Sequence, residues 1–154
     1  MPFTVPVDAL FSAANTLALV SWVGLIVLPR WRVVRRTLQF FIVAGLCVLY
    51  SVLIQGFFFG VEGGGFFSLA AVQKLFASRE VALAGWVHYL AFDLFVGLWI
   101  AGRADEIGVS RWVQGPILLT TFMFGPIGLL LFAATVGVRA VSARLSEAAG
   151  WRPA

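Results

Sequence analysis

Groups that can act as nucleophile, metal ligand or acid–base catalyst are scarce in this chain of 154 residues, which holds one cysteine, one histidine and seven carboxylates. A lone Cys47 has no intrachain partner, so disulfide cross-linking plays no part in the fold. One histidine and one cysteine fall short of the usual zinc ligand sets. Asp93 also has no carboxylate or histidine three or four residues onward, as a di-iron helix requires. No Rossmann glycine fingerprint follows a strand, and Gly63, Gly64 and Gly65 are not followed by Lys-Ser/Thr, which excludes a phosphate loop. No serine is marked out as a partner for His88 in a nucleophilic triad. What remains is acid–base chemistry without a cofactor, or plain ligand binding. Charge is scarce too, at 12% of residues, well below a soluble domain of ordinary composition.

What the chain has in abundance is apolar length. Hydrophobic residues make up 61% and mean hydropathy is +0.98, which predicts an integral membrane protein. At roughly 20 apolar residues per crossing there is room for about four or five spans and no separate soluble domain. The formal charge of +4 comes almost wholly from arginines at the ends of apolar runs. They read as interfacial anchors and point to membrane lipids, not nucleic acid, as the partner.

The expected fold is all-α, an integral membrane four-helix bundle forming one domain over 1–154, with spans at about 8–28, 37–59, 81–101 and 115–138. Pro29 and Arg30 stop the first span. After the second comes Gly60-Val61-Glu62-Gly63-Gly64-Gly65, expected as a flexible hinge. The segment 66–77 is too short to cross and is expected as an interfacial or re-entrant helix between spans 2 and 3. Ser78 is the expected N-cap of the third span, with Glu80 in its first turn. In the fourth span Pro126 predicts a kink, and Gly125 and Gly128 permit close approach of another helix or a ligand. Residues 139–154 form a polar tail.

Sidedness is weakly encoded. Arg30, Arg32, Arg35 and Arg36, with Trp31 among them, form a dense headgroup anchor that predicts a cytoplasmic first loop and an outside N-terminus. With four crossings, Arg103 and Arg111 join that side for a total of six basic residues. Lys74, Arg79, Arg139, Arg144 and Arg152 put five on the other.

The third span carries the chemistry. It holds the only histidine, and Asp93 falls about 15 Å from either end at ~1.5 Å of rise per residue, near mid-membrane. An ionisable group there costs roughly 2.5–3.5 kcal/mol on insertion scales and faces protein rather than lipid. Trp86, Tyr89 and Asp93 share one helix face, whereas His88 lies about 140° from Asp93 in azimuth, so the two do not pair directly. They are expected to line the bundle interior from two flanks. Elsewhere, Ser12, Asn15 and Trp22 share a face of the first span, and Asn15 serves either an interhelical hydrogen bond or a ligand. Ser51 and Gln55 share a face of the second span. Lys74 either snorkels to the headgroups or faces a cavity.

At Trp86-x-His88-x-Leu90-x-x-Asp93-Leu94-Phe95 the sequence resembles the small membrane proteins similar to plant neoxanthin synthase, the abscisic acid deficient four-like family. Asn15 and Trp22, Lys74-x-Phe76-x-Ser78, and Pro126-Ile127-Gly128 extend the resemblance from Asn15 to about Phe132. The resemblance implies xanthophyll metabolism, in which an epoxy-carotenoid is isomerised to an allenic carotenoid without cofactor. It also marks Trp86, His88, Asp93, Asn15 and Lys74 as positions to watch. Because no basic region precedes the first apolar run, neither a signal peptide nor a plastid transit peptide is expected. A bacterial inner-membrane setting is expected instead.

The expected catalytic pair is Asp93 as proton donor and His88 as base, with Trp86, Tyr89, Asn15, Lys74, Gln55 and Trp22 binding the substrate and no metal involved. The ligand that the resemblance implies is a carotenoid or other isoprenoid, expected in a groove walled by many of the chain's aromatic residues, among them 15 phenylalanines and six tryptophans. The alternative is a non-catalytic carotenoid- or isoprenoid-binding membrane subunit or assembly factor of a pigment–protein complex, and the expected protein partner is a second copy of the chain or such a complex. Solute transport is disfavoured because four spans with few polar residues offer no aqueous path.

Overall fold

A computed structural model of the chain describes residues 6–28 and 32–148, and every regular element in it is helical. The expected stop at Pro29 and Arg30, the Trp31 anchor, the first five residues and tail residues 149–154 lie outside the described residues. The chain divides into two compact units, Met1–Leu98 and Trp99–Ala154.

In the first unit, α1 (Val7–Val27) is followed by α2 (Arg32–Thr37), a π-helical turn (Leu38–Val43) and α3 (Ala44–Phe57). With a closing 3-10 turn, α2 to α3 form one continuous 29-residue helix, Arg32–Gly60, which starts five residues before the expected span. Then come α4 (Leu69–Ala77) and the first twenty residues of α5 (Arg79–Glu106). The helices meet through small residues. Ala14 and Ala18 of α1 and Ala84 and Ala91 of α5 pack with Leu46 and Leu53 of α3 and with Leu83, Val87 and Leu90. Alanine lets backbones approach, which is how apolar helices gain contact when lipid is as apolar as their neighbours. Trp22 is buried because Gly97 leaves space for its ring, and a Cβ on Gly97 would overlap the indole.

Ser78 caps α5 as its sequence position predicts. Its hydroxyl accepts from the Val81 N–H at 3.4 Å and donates to Glu80 at 3.1 Å. The expected short helix is α4, nine residues capped by Ser68, whose hydroxyl accepts from the Ala71 N–H at 3.1 Å. Where a flexible hinge was expected, the glycines form a turn packed on α4. Gly63 has φ +67°, the Gly65 N–H donates to the Ala71 carbonyl at 3.3 Å, and a Cβ on Gly64 would lie 2.6 Å from Leu75. Here glycine permits close packing and not merely bending.

In the second unit, the end of α5 turns through residues 107–110 into α6 (Arg111–Ala148). Helix continues well into the expected polar tail, as far as Ala148. Buried Gln114 ties the turn together, donating to Asp105 at 3.0 Å and to the Val109 carbonyl at 2.8 Å. By length and composition α6 joins α1, the α2–α3 helix and α5 as the four helices able to cross a membrane. Its path, however, is not straight. Phe124 (φ −142°, ψ 39°) and Gly125 (φ 7°, ψ −76°) leave helical geometry, and the chain doubles back there.

Three contacts establish the fold-back. A Cβ on Gly128 would overlap the backbone of Thr121, seven residues earlier in the same helix. The Trp99 and Phe132 rings meet edge to face at 5.6 Å. The Arg139 guanidinium donates to the Ile107 carbonyl at 3.0 Å. A straight helix would carry Arg139 about 40 Å from the start of α6, far beyond the reach of its side chain. The expected kink at Pro126 is therefore a reversal, and the element is a helical hairpin with a tip at Phe124 and Gly125.

Candidate functional site

Helical geometry distributes the polar groups of α5 over different faces. Val81, Gly85 and His88 recur at intervals of four and three, so they share one stripe. That stripe closes a cleft of about 340 Å³ whose other walls are Tyr50, Ile54 and Phe58 from α3 and its end, and Phe66, Leu75 and Phe76 from the α4 region. Phe76 reaches deep because residue 85 is glycine; a Cβ there would lie 2.5 Å from its ring. The His88 imidazole stacks on Phe92 at 4.4 Å and 20° and tilts against the Tyr50 ring at 5.2 Å and 57°. His88 and Tyr50 are the polar side chains among the lining residues, and the rest are aromatic or aliphatic. An imidazole and a phenol facing one apolar space can take a proton from one atom of a ligand and give one to another.

Asp93 does not line this cleft. Its carboxyl is hydrogen-bonded to the Tyr89 hydroxyl one turn before it, and its other oxygen, Oδ2, is buried with no hydrogen-bond partner among the described residues. The Tyr89 ring lies 5.3 Å from that of Trp86, whose indole N–H donates to Asn15 Oδ1 at 3.0 Å. Asn15 in turn donates to the Phe11 carbonyl at 2.9 Å. Asp93, Tyr89, Trp86 and Asn15 thus form a polar and aromatic seam joining α5 to α1. Asn15 makes the interhelical bond that was one of its two expected roles.

The remaining expected site residues are dispersed. Trp22 is a packing residue in the α1–α5 contact. Gln55 is exposed on α3 and outside the cleft. Lys74 is exposed on α4, with its ammonium beside Gly63. A second, more open cleft of about 420 Å³ lies between Val7, Asp8 and Phe11 of α1 and Arg79, Ala82, Leu83 and Trp86 of α5, with the Asp8–Arg79 ion pair at 2.7 Å. Both partners of that pair are solvent-exposed, so it contributes little to stability. Among the described residues no cluster of three or more His, Cys, Asp or Glu side chains is placed to hold a metal.

The residue missed by sequence reasoning is Tyr50. Its position in the second span was visible, but its pairing with His88 depends on how α3 is rotated toward α5, and no local pattern carries that.

Four helices long and apolar enough to cross a membrane, with an aromatic cleft that holds one imidazole, are the features of a small helical membrane protein. The chain belongs to the ABA DEFICIENT 4-like family, whose family model matches residues 9–132 and so covers every residue of the His88 cleft and of the Asp93 seam. That family is associated with carotenoid and neoxanthin biosynthesis. No curated protein and no solved structure matches the chain significantly.

Proposed function

We propose that this chain is an integral membrane isomerase of xanthophyll metabolism, opening the epoxide of an epoxy-carotenoid end group to a tertiary alcohol and an allene. The observation that carries this reading is the His88–Tyr50 cleft. At ~30 Å³ per water-sized group its 340 Å³ hold roughly eleven such groups, which is the size of one methylated, oxygenated six-membered ring. The polyene then leaves the cleft for the lipid.

In this reading the Tyr50 hydroxyl donates a proton to the epoxide oxygen as a carbon–oxygen bond breaks. His88 removes the hydrogen from the polyene carbon next to that bond. The electron pair of the broken carbon–hydrogen bond becomes the double bond that completes the allene. One proton enters and one leaves, and no electrons are exchanged, so the chemistry asks only for an acid and a base. Positioned groups of this kind contribute about 10²–10⁴-fold each. Asp93, expected from sequence as the donor, acts here through Tyr89 as part of the seam that holds α5 against α1.

The test is a chromatographic comparison of pigments from a violaxanthin-accumulating host expressing the wild type, His88→Gln or neither. A new allenic product with the wild type alone is the expected result. Unaltered carotenoid co-purifying with wild-type protein, and no product, would overturn the isomerase in favour of a pigment-binding subunit.

A further inference from the structure

The fold-back of α6 has a membrane counterpart. Thr121 against Gly128, and Arg139 against Ile107, are disposed symmetrically about the tip at Phe124 and Gly125. From Arg111 to the tip, and from the tip to Arg139, each arm rises about 20 Å at ~1.5 Å per residue. A hydrocarbon core is about 30 Å thick, so neither arm crosses it alone, although each passes the midplane.

Charge follows the same geometry. No Asp, Glu, Lys or Arg occurs between Trp112 and Val138, whereas Arg103, Arg111, Arg139 and Arg144 gather at the open end. Gly125 and Gly128, both buried, let the arms close tightly at the tip. Non-helical backbone is tolerated at that depth only where protein covers it.

We propose that α6 is a re-entrant helical hairpin that enters and leaves the bilayer on the cytoplasmic side, with its arginine-bearing open end against the anionic phospholipid headgroups of that leaflet. Only α1, the α2–α3 helix and α5 then cross. Among the described residues, Arg32, Arg35 and Arg36 of the α2 end fall on the same side of the bilayer as the four arginines of the hairpin, seven in all, and Lys74 and Arg79 fall on the other. A straight fourth crossing would divide the same residues five to four. Positive residues accumulate on the cytoplasmic face, and anionic lipid there attracts them. The hairpin turns a near-balanced count into a decisive one.

The experiment uses the full chain in a Cys47→Ser background with single cysteines introduced as Glu62→Cys, Gly108→Cys or Glu147→Cys. A membrane-impermeant maleimide is applied to sealed vesicles of known orientation. Positions 108 and 147 should label from the cytoplasmic face and position 62 from the opposite face. Labelling of 147 from the same face as 62 would overturn the hairpin. In a second measurement, the purified protein is reconstituted in vesicles of phosphatidylcholine alone or mixed with phosphatidylglycerol. Anionic lipid should raise the unfolding temperature of the wild type, and by less for Arg144→Gln. Equal unfolding temperatures of the wild type in both lipids would overturn the headgroup contact.

Discussion

At the scale of residues, azimuth was legible and partnership was not. Helical spacing alone puts Trp86, Tyr89 and Asp93 on one face of α5 and His88 on another, and the structure keeps them so, with Tyr89 bonded to Asp93 and His88 in the cleft. What faces each group depends on the rotation of α1 and α3, which neither composition nor period records. Hence Asn15 meets Trp86, and His88 meets Tyr50 where the sequence favoured Asp93 as its catalytic companion. The two assignments separate experimentally. Tyr50→Phe removes the proposed donor hydroxyl while keeping the ring, and conversion of epoxy-carotenoid should fall by roughly 10²-fold or more. Asp93→Asn retains a group able to bond Tyr89, and conversion should stay within several-fold of wild type. Pigment chromatography on equal amounts of folded protein reads both, and the reverse order would return the donor role to Asp93. A structural counterpart is Asn15→Leu, which leaves the Trp86 N–H without its acceptor. It should cost about 0.6–2 kcal/mol, the range for interhelical bonds in membranes, read as a lower unfolding temperature in detergent.

At the scale of elements, boundaries were legible wherever a cap or breaker marks them. Ser78 caps α5, and α4 lies within the segment that was too short to cross. Failures came from glycine and proline, whose presence signals that backbone departs from helix without stating by how much. The run at Gly63 to Gly65 became a packed turn because α4 lies against it. Pro126 predicted a kink because it lacks an N–H and crowds the preceding turn. The reversal instead lies in the dihedrals of Phe124 and Gly125, held by contacts between residues on opposite arms. Gly128→Leu tests that account. Its side chain would enter space occupied by the Thr121 backbone, which cannot move aside as a flexible side-chain end would. Overpacking of this kind costs typically 1–3 kcal/mol. Gly137→Leu, at a position with nothing within 4 Å of an added Cβ, is the matched control. The first variant should unfold at a lower temperature than the second, and equal stabilities would mean that the arms do not close at Gly128.

At the scale of the whole molecule, composition alone identified a chain of long apolar helices, because 61% hydrophobic content is incompatible with an ordinary aqueous surface. Sidedness stayed hidden because it depends on the number of crossings, and that number depends on whether α6 is straight. The proposed chemistry rests on a different kind of fact. The cleft offers an imidazole and a phenol. An epoxide-to-allene conversion balances with one proton in and one out, which matches that inventory. Conversion of an epoxy-carotenoid by purified protein in detergent should therefore continue at an unchanged rate after chelator treatment, without oxygen, and with no nicotinamide or flavin added. Product formed over time, followed chromatographically, is the measurement. A rate that collapses with chelator and returns with a divalent metal would show that the oxygen is activated by a Lewis acid instead of the Tyr50 hydroxyl. The role of His88 would then have to be sought in holding that metal and not in taking the proton.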